Sequence, residues 1–320
     1  MQFNKILGVV ILTFFMFFSI ASNIHEIPIF HNKTFFKFPP RFSVNVNALY
    51  SSEPAPMGIA DYGVNSNNCG FIRHFTKVLG EGVICKANVR ASSTCSDCFT
   101  LQLNAVLTYC VNGKHYCIWT QDVAFFFGFN NTIVFIDNIW NLTCSHAKVE
   151  GVSGKGVISP SGNTCFYYYE SPYYCRFTFP VKVCALMRVT TNSLGEPVIY
   201  FCYNLGKGWV NYDTVTVLTP HAKNVYYTID GCKYTGTGNF YDIEFVLGGP
   251  GGGSSATVCC ILAYFKLYYG NSTLTEINNA YNFGSDTAET VCYVVDQATT
   301  YGGSNAAQIT CGYGSLCMLW

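Results

Sequence analysis

Leu101-Gln102-Leu103-Asn104-Ala105-Val106-Leu107-Thr108-Tyr109-Cys110-Val111, then Asn112-Gly113, then Lys114 and His115-Tyr116-Cys117-Ile118-Trp119 form one stretch in which an apolar and β-branched run stops at Asn-Gly and resumes. Both central residues of a type I′ turn need positive φ, which Asn and Gly tolerate, so the stretch predicts an antiparallel hairpin. The same grammar recurs at Thr132–Ile136, Arg176–Val183, Val198–Tyr203, Thr214–Leu218, Val225–Ile229, Tyr241–Leu247 and Thr257–Tyr268, each broken at Gly, Asn, Asp or Pro. Asp230-Gly231 reads as a second type I′ turn. Nowhere do apolar residues recur at helical spacing over three turns, which excludes a parallel α/β fold and predicts an all-β sandwich.

Outward from these strands, the chain begins with Lys5, the apolar run Ile6–Ile20 and the small residues Ser19-Ile20-Ala21. A single positive charge, a core too short to span a bilayer comfortably and small residues at its exit describe a secretory signal peptide over 1–21. Segment 22–64, with Pro39-Pro40, Pro54 and Pro56, reads as extended; 65–292 is the sandwich; 293–320 reads as a linker or incomplete subdomain. No second long apolar run follows, so no membrane span is expected within the chain. The tract Gly248–Ser255 reads as a flexible loop, since no Gly-Lys-Ser/Thr follows to make it a phosphate cradle.

Eighteen basic and eighteen acidic side chains cancel, which removes any whole-chain argument for nucleic acid as a partner. Charged residues are only 11% of the chain and aromatic residues 17%, so sugars on the surface are expected. Sequons at Asn32, Asn130, Asn141 and Asn271 fit that expectation. In an oxidising compartment most of the 17 cysteines should pair, leaving one over.

Little in the sequence marks chemistry. The cysteines Cys95, Cys98, Cys110 and Cys117 have the ligand types for zinc, but disulfide pairing is the simpler reading in a secreted chain, and no metal or other cofactor is expected. Six histidines are scattered without an acid at metal or triad spacing, and Gly151-Val152-Ser153-Gly154 does not supply a nucleophile elbow. The most distinctive binding feature is Cys165-Phe166-Tyr167-Tyr168-Tyr169-Glu170-Ser171-Pro172-Tyr173-Tyr174-Cys175. Its rings could stack on a ligand through Tyr167, Tyr168, Tyr169, Tyr173 and Tyr174, although tyrosines alternating into a core would look the same. Trp119, Trp140 and Trp209 read as core residues.

Between Leu218 and Tyr293 the order of motifs resembles the end of the galectin-like N-terminal domain of coronavirus spike glycoproteins, closest to the alphacoronavirus form. The resemblance rests on Leu218-Thr219-Pro220, Lys223-Asn224-Val225, Tyr227-Thr228-Ile229-Asp230-Gly231-Cys232-Lys233-Tyr234, Ala263-Tyr264-Phe265-Lys266-Leu267-Tyr268-Tyr269 and Asn271-Ser272-Thr273-Leu274-Thr275-Glu276-Ile277, followed by Cys292. It implies a galectin-like, disulfide-bonded sandwich on a virion surface or secreted, with no enzymatic activity. It also implies attachment to a host-cell glycan or protein receptor and, within a larger spike, a trimer. Two other classes stay open: a secreted structural or accessory glycoprotein acting through protein contacts, and a secreted hydrolase.

Overall fold

The structure, a computed structural model, describes residues 57–311 apart from 62, 64–68, 92–96, 144–148, 150, 162–163, 232–242, 251–254, 278–289 and 293. The expected signal peptide, the sequon at Asn32, the middle of the Gly-rich loop, Cys95, Cys232 and the last nine residues fall outside these.

The strands are, in order, β1 (Met57–Asp61), β2 (Ile72–Phe75), β3 (Lys77–Ala91), β4 (Cys98–Val111), β5 (Lys114–Phe127), β6 (Thr132–Asn141), β7 (Val152–Ser153), β8 (Val157–Ser161), β9 (Thr164–Glu170), β10 (Cys175–Arg176), β11 (Val181–Thr191), β12 (Pro197–Asn204), β13 (Val210–Val217), β14 (Lys223–Asp230), β15 (Ile243–Gly248), β16 (Ser255–Gly270), β17 (Leu274–Glu276), β18 (Thr290–Cys292), β19 (Val294–Tyr301) and β20 (Ser304–Cys311). They form two sheets packed as a sandwich. The first runs β1-β15-β4-β5-β6-β9-β8, with β14 and β2 attached through β4 and β10 on β6; the second runs β19-β20-β16-β3-β11-β12-β13-β7, with β17 and β18 on β16. All pairings are antiparallel except that of β16 with β18.

The Asn-Gly hairpin is present: Asn112 (φ 50°) and Gly113 (φ 77°) close Val111 onto Lys114. Its second strand runs eight residues past the expected end at Trp119. Thr120, Gln121 and Asp122 interrupt the apolar run and look like a stop in sequence, yet all three are buried within the sheet. Along β5, Ile118, Ala124 and Phe126 face the second sheet, whereas Trp119, Val123, Phe125 and Phe127 build an apolar cluster on the other face. Burial on both faces explains why these strands read as nearly continuous apolar runs rather than alternating ones. Across the sandwich, Phe135 on β6 stacks on Tyr203 of β12 at 3.7 Å, and Phe245 on β15 meets Phe265 of β16 at 5.2 Å.

Several expectations change. Arg176–Val183 is not one strand but two, split at Pro180, which has no N–H to give to a ladder. Asp230-Gly231 is not a type I′ turn, since neither residue has positive φ; the Gly231 amide donates to the Phe71 carbonyl at 2.9 Å, with Gly63 packed against its Cβ-less face. Residues 294–311 form the β19–β20 hairpin on the edge of the second sheet. Trp119 and Trp140 are buried, but Trp209 is 49% exposed.

Among the described residues, general disulfide pairing is also not observed. Cys85, Cys110, Cys117, Cys165, Cys175, Cys184 and Cys202 carry thiols, while Cys98 is disulfide-bonded. Register is the reason: Cys110 lies opposite His115 and Cys117 opposite Thr108, while Cys184 faces Asn204 and Cys202 faces Leu186. Diagonal partners of this kind stand roughly 7–8 Å apart, too far for a bridge without backbone movement.

Where β3 passes under β15, Gly80 lies so close to the Phe245 ring that a Cβ there would collide with it. Gly80→Ala should cost about 1–3 kcal/mol through overpacking. Thermal unfolding measures it, and Gly113→Ala, at a turn where nothing crowds the added carbon, separates overpacking from turn strain.

Candidate active site

Period-two alternation sends every second side chain of β5, β6 and β9 into the sandwich, and in one row that places acids where neighbouring rows place Ala, Phe and Ile. Asp122 lies directly opposite Asp137, which lies opposite Tyr169. Both carboxyls are fully buried. From the second sheet β13 brings Tyr212 and Asp213. The Tyr212 hydroxyl donates to Asp122 Oδ1 at 2.8 Å and also lies 3.0 Å from the Ile136 carbonyl. Asp213 Oδ2 accepts from the Tyr167 hydroxyl at 2.5 Å, and its Oδ1 accepts from the amides of Thr214 at 2.8 Å and Lys155 at 3.1 Å. Neither oxygen of Asp137 has a hydrogen-bond partner.

The cost of charge in this setting sets the protonation. Burial pushes the Asp137 carboxyl well above the usual carboxylate range, the nearby Asp213 and Asp122 push it further, and Lys155 pulls it back. Burial likewise raises Asp122 well above its ordinary value, opposed by the hydrogen bond from Tyr212. Two interacting carboxyls in a dry site cannot both ionise cheaply, so a proton shared between them is the expected state over a range of acid pH. Such a pair can take a proton from one reacting group and give one to another.

The cluster sits near an open edge of the sandwich. There β7, the last strand of the second sheet, continues through Gly154-Lys155-Gly156 into β8, the last strand of the first. This short strap crosses between the sheets and lies against Tyr167, whose hydroxyl accepts from the Gly156 amide at 2.6 Å. With the strap in place the carboxyls are sealed from water.

The five tyrosines singled out in sequence do not share one face. Tyr167 and Tyr169 point to the acid cluster, Tyr168 points to the opposite face, and Tyr173 and Tyr174 occupy the turn after β9, where Tyr173 is 73% exposed. Tyr168 and Tyr174 both donate to Glu170, at 2.9 and 2.6 Å. Beside Tyr168 on that outer face, Asn138 donates to Gln121, Gln121 to Gln102, Gln102 to Thr100 and Thr100 to the Gly249 carbonyl, a buried amide ladder across the strands. Sequence reasoning missed Asp122, Asp137 and Asp213. The available signal was an acid inside an apolar run in a chain with few charges.

Comparison with known proteins gives a consistent assignment. A family profile described as Thermopsin matches residues 42–294. A protein named Thermopsin from Sulfolobus acidocaldarius is 32% identical over 306 residues, covering 90% of each chain. Among solved structures, the PL-14 alginate lyase from Aplysia kurodai aligns with a TM-score of 0.26 and 10% identity over 63% of this chain and 85% of that one, too weak a likeness to carry an inference.

These matches overturn the coronavirus resemblance and what followed from it: the virion surface, the host glycan or protein receptor, the spike trimer and the absence of enzymatic activity. The described parts of the motifs that carried it lie on or next to β14, β16, β17 and β18, and they record strand alternation and turn chemistry that unrelated antiparallel sheets share. The hydrolase class fits the comparisons instead. Secretion remains compatible with them, and among the described residues no helix is long and apolar enough to cross a membrane.

The sign of the carboxyl shifts gives a stability test. Because Asp122 and Asp137 are raised in the folded chain, their contribution is complete below the unfolded carboxyl value of about 4 and is lost as pH rises through the folded values. Denaturant midpoints should therefore fall from acid toward neutral pH, and Asp137→Asn should flatten that fall. A midpoint that rises with pH in the wild type would contradict the assignment.

Proposed function

The chain belongs to the thermopsin family, and we propose that it is a secreted peptidase working in acid, with Asp122 and Asp137 as its acid–base pair. Thermopsin is described as an archaeal acid protease, and hydrolysis in acid calls for a pair holding one proton. The observation that carries the reading is the in-register pairing of two buried carboxyls, one with both oxygens unpartnered. In the reaction the ionised carboxylate takes a proton from water as the water oxygen adds to the peptide carbonyl carbon. The protonated partner gives its proton to the carbonyl oxygen. Collapse of the tetrahedral species breaks the C–N bond and sends a proton to the leaving nitrogen, releasing a carboxylic acid and an amine. Tyr212 orients Asp122 throughout. Tyr173 and Tyr174, exposed beyond the strap-side strands, are read as contacts for apolar side chains of the peptide, and Asn130, Asn141 and Asn271 as glycan acceptors.

A second reading puts the acid at Glu170, favoured by its partial exposure and its two tyrosine donors. Cleavage of a denatured protein substrate between pH 2 and 6 separates the two. Asp122→Asn and Asp137→Asn should each lower kcat by about a hundred- to ten-thousandfold while keeping the wild-type circular dichroism, and Glu170→Gln should retain most activity. Activity surviving in both asparagine variants would sink the assignment, and its loss in Glu170→Gln alone would favour the second reading.

A further inference from the structure

We propose that Lys155 is a positioning residue of the reaction, placed by the strap between the sheets so that its positive charge lets the buried carboxyl pair keep one negative charge. This rests on the reading of Asp122 and Asp137 as the acid–base pair. Three features of the geometry carry it. The Lys155 ammonium is anchored, donating to the Tyr212 carbonyl at 2.5 Å and lying 5.9 Å from the centre of the Tyr169 ring. Its backbone is anchored too, since the Lys155 amide donates to Asp213. Finally, its two neighbours are glycines for a steric reason: a Cβ at residue 154 would run into the Tyr167 hydroxyl, and one at residue 156 into the Tyr168 carbonyl. The strap thus lies flush on β9, and the lysine is held at the mouth of the acid cluster while its stem faces water.

Apart from Lys155, the titratable groups that interact with Asp137 are acids or weak acids: Asp122 on β5, Tyr167, Tyr168 and Tyr169 on β9, and Tyr212 and Asp213 on β13. Three carboxyls in a water-free core repel one another, and an ionised member needs a cation or several donors nearby. Asp213 has donors and Asp122 has Tyr212, whereas Asp137 has neither and depends on Lys155. A lysine in the strap therefore fixes which acid pH range leaves the pair with a single proton.

The test compares wild type, Lys155→Met and Lys155→Arg by two readouts, 13C-aspartate carboxyl NMR titration, with Asp137→Asn assigning the resonance, and the pH profile of kcat on a denatured protein substrate. Thermal melts confirm folding. In Lys155→Met the Asp137 titration and both limbs of the activity profile should move up by about one pH unit, and Lys155→Arg should restore both. An unmoved titration with activity lost in Asp137→Asn overturns the role of Lys155 and leaves the peptidase reading intact. A titration that moves while the activity profile stays fixed overturns the carboxyl pair as catalyst, and with it any part for Lys155 in the reaction.

Discussion

Two carboxyls facing each other across adjacent strands, in the dry space between two sheets, are the constraint around which this fold is arranged. An isolated ionised carboxylate moved out of water costs several kcal/mol even after relaxation. Asp122 and Asp137 therefore demand either a shared proton or compensating donors. The surrounding elements read as answers to that demand: Tyr212 reaches from the second sheet to Asp122, Asp213 is saturated by Tyr167 and two backbone amides, and the strap carries Lys155 over the edge. A sheet that buried only apolar residues at these positions would need none of these contacts.

The architecture makes the arrangement possible because the first sheet is covered on both faces. Its inner face packs against the second sheet through contacts such as Phe135 on Tyr203, and its outer face buries Trp119, Trp140, Phe125 and Phe166 around an amide ladder. Strands enclosed in this way move little, so the separation of paired acids is set by the ladder spacing rather than by loop conformation. At the edge the chain crosses from β7 to β8 through two glycines that let it lie directly on β9. Carboxyls held at fixed separation beside an anchored strap suit a reaction that needs fixed proton donors.

Acid has a consistent meaning at each level of this description. Raised carboxyls are neutral at low pH, which removes the repulsion that burial would otherwise impose. Loss of one of those two protons as pH rises gives the singly ionised pair that a paired-carboxyl hydrolase requires, and the charge of Lys155 favours that loss at Asp137. With only 18 Lys and Arg in 320 residues, the positive charge left when the carboxyls protonate is spread thinly over the chain.

The sequence by itself determined the all-β class, the Asn112-Gly113 turn and most strand positions, because β-branched runs and turn residues act locally and their signals survive in one dimension. It did not determine where β5 ends, since Asp122 inside an apolar run looks like a break until a second acid is known to lie across from it. Nor did it decide the family, because the motifs near Tyr227 and Tyr264 record strand grammar rather than ancestry. The tyrosines of β9 were visible as a cluster, yet only the pleat shows that Tyr167 and Tyr169 serve one face and Tyr168 the other. Residues 122, 137 and 213 are brought together only by register between β5 and β6 and by packing of β13 across the sandwich. Contacts of such long sequence separation leave no local trace, and tertiary structure alone decided that three scattered acids form one site.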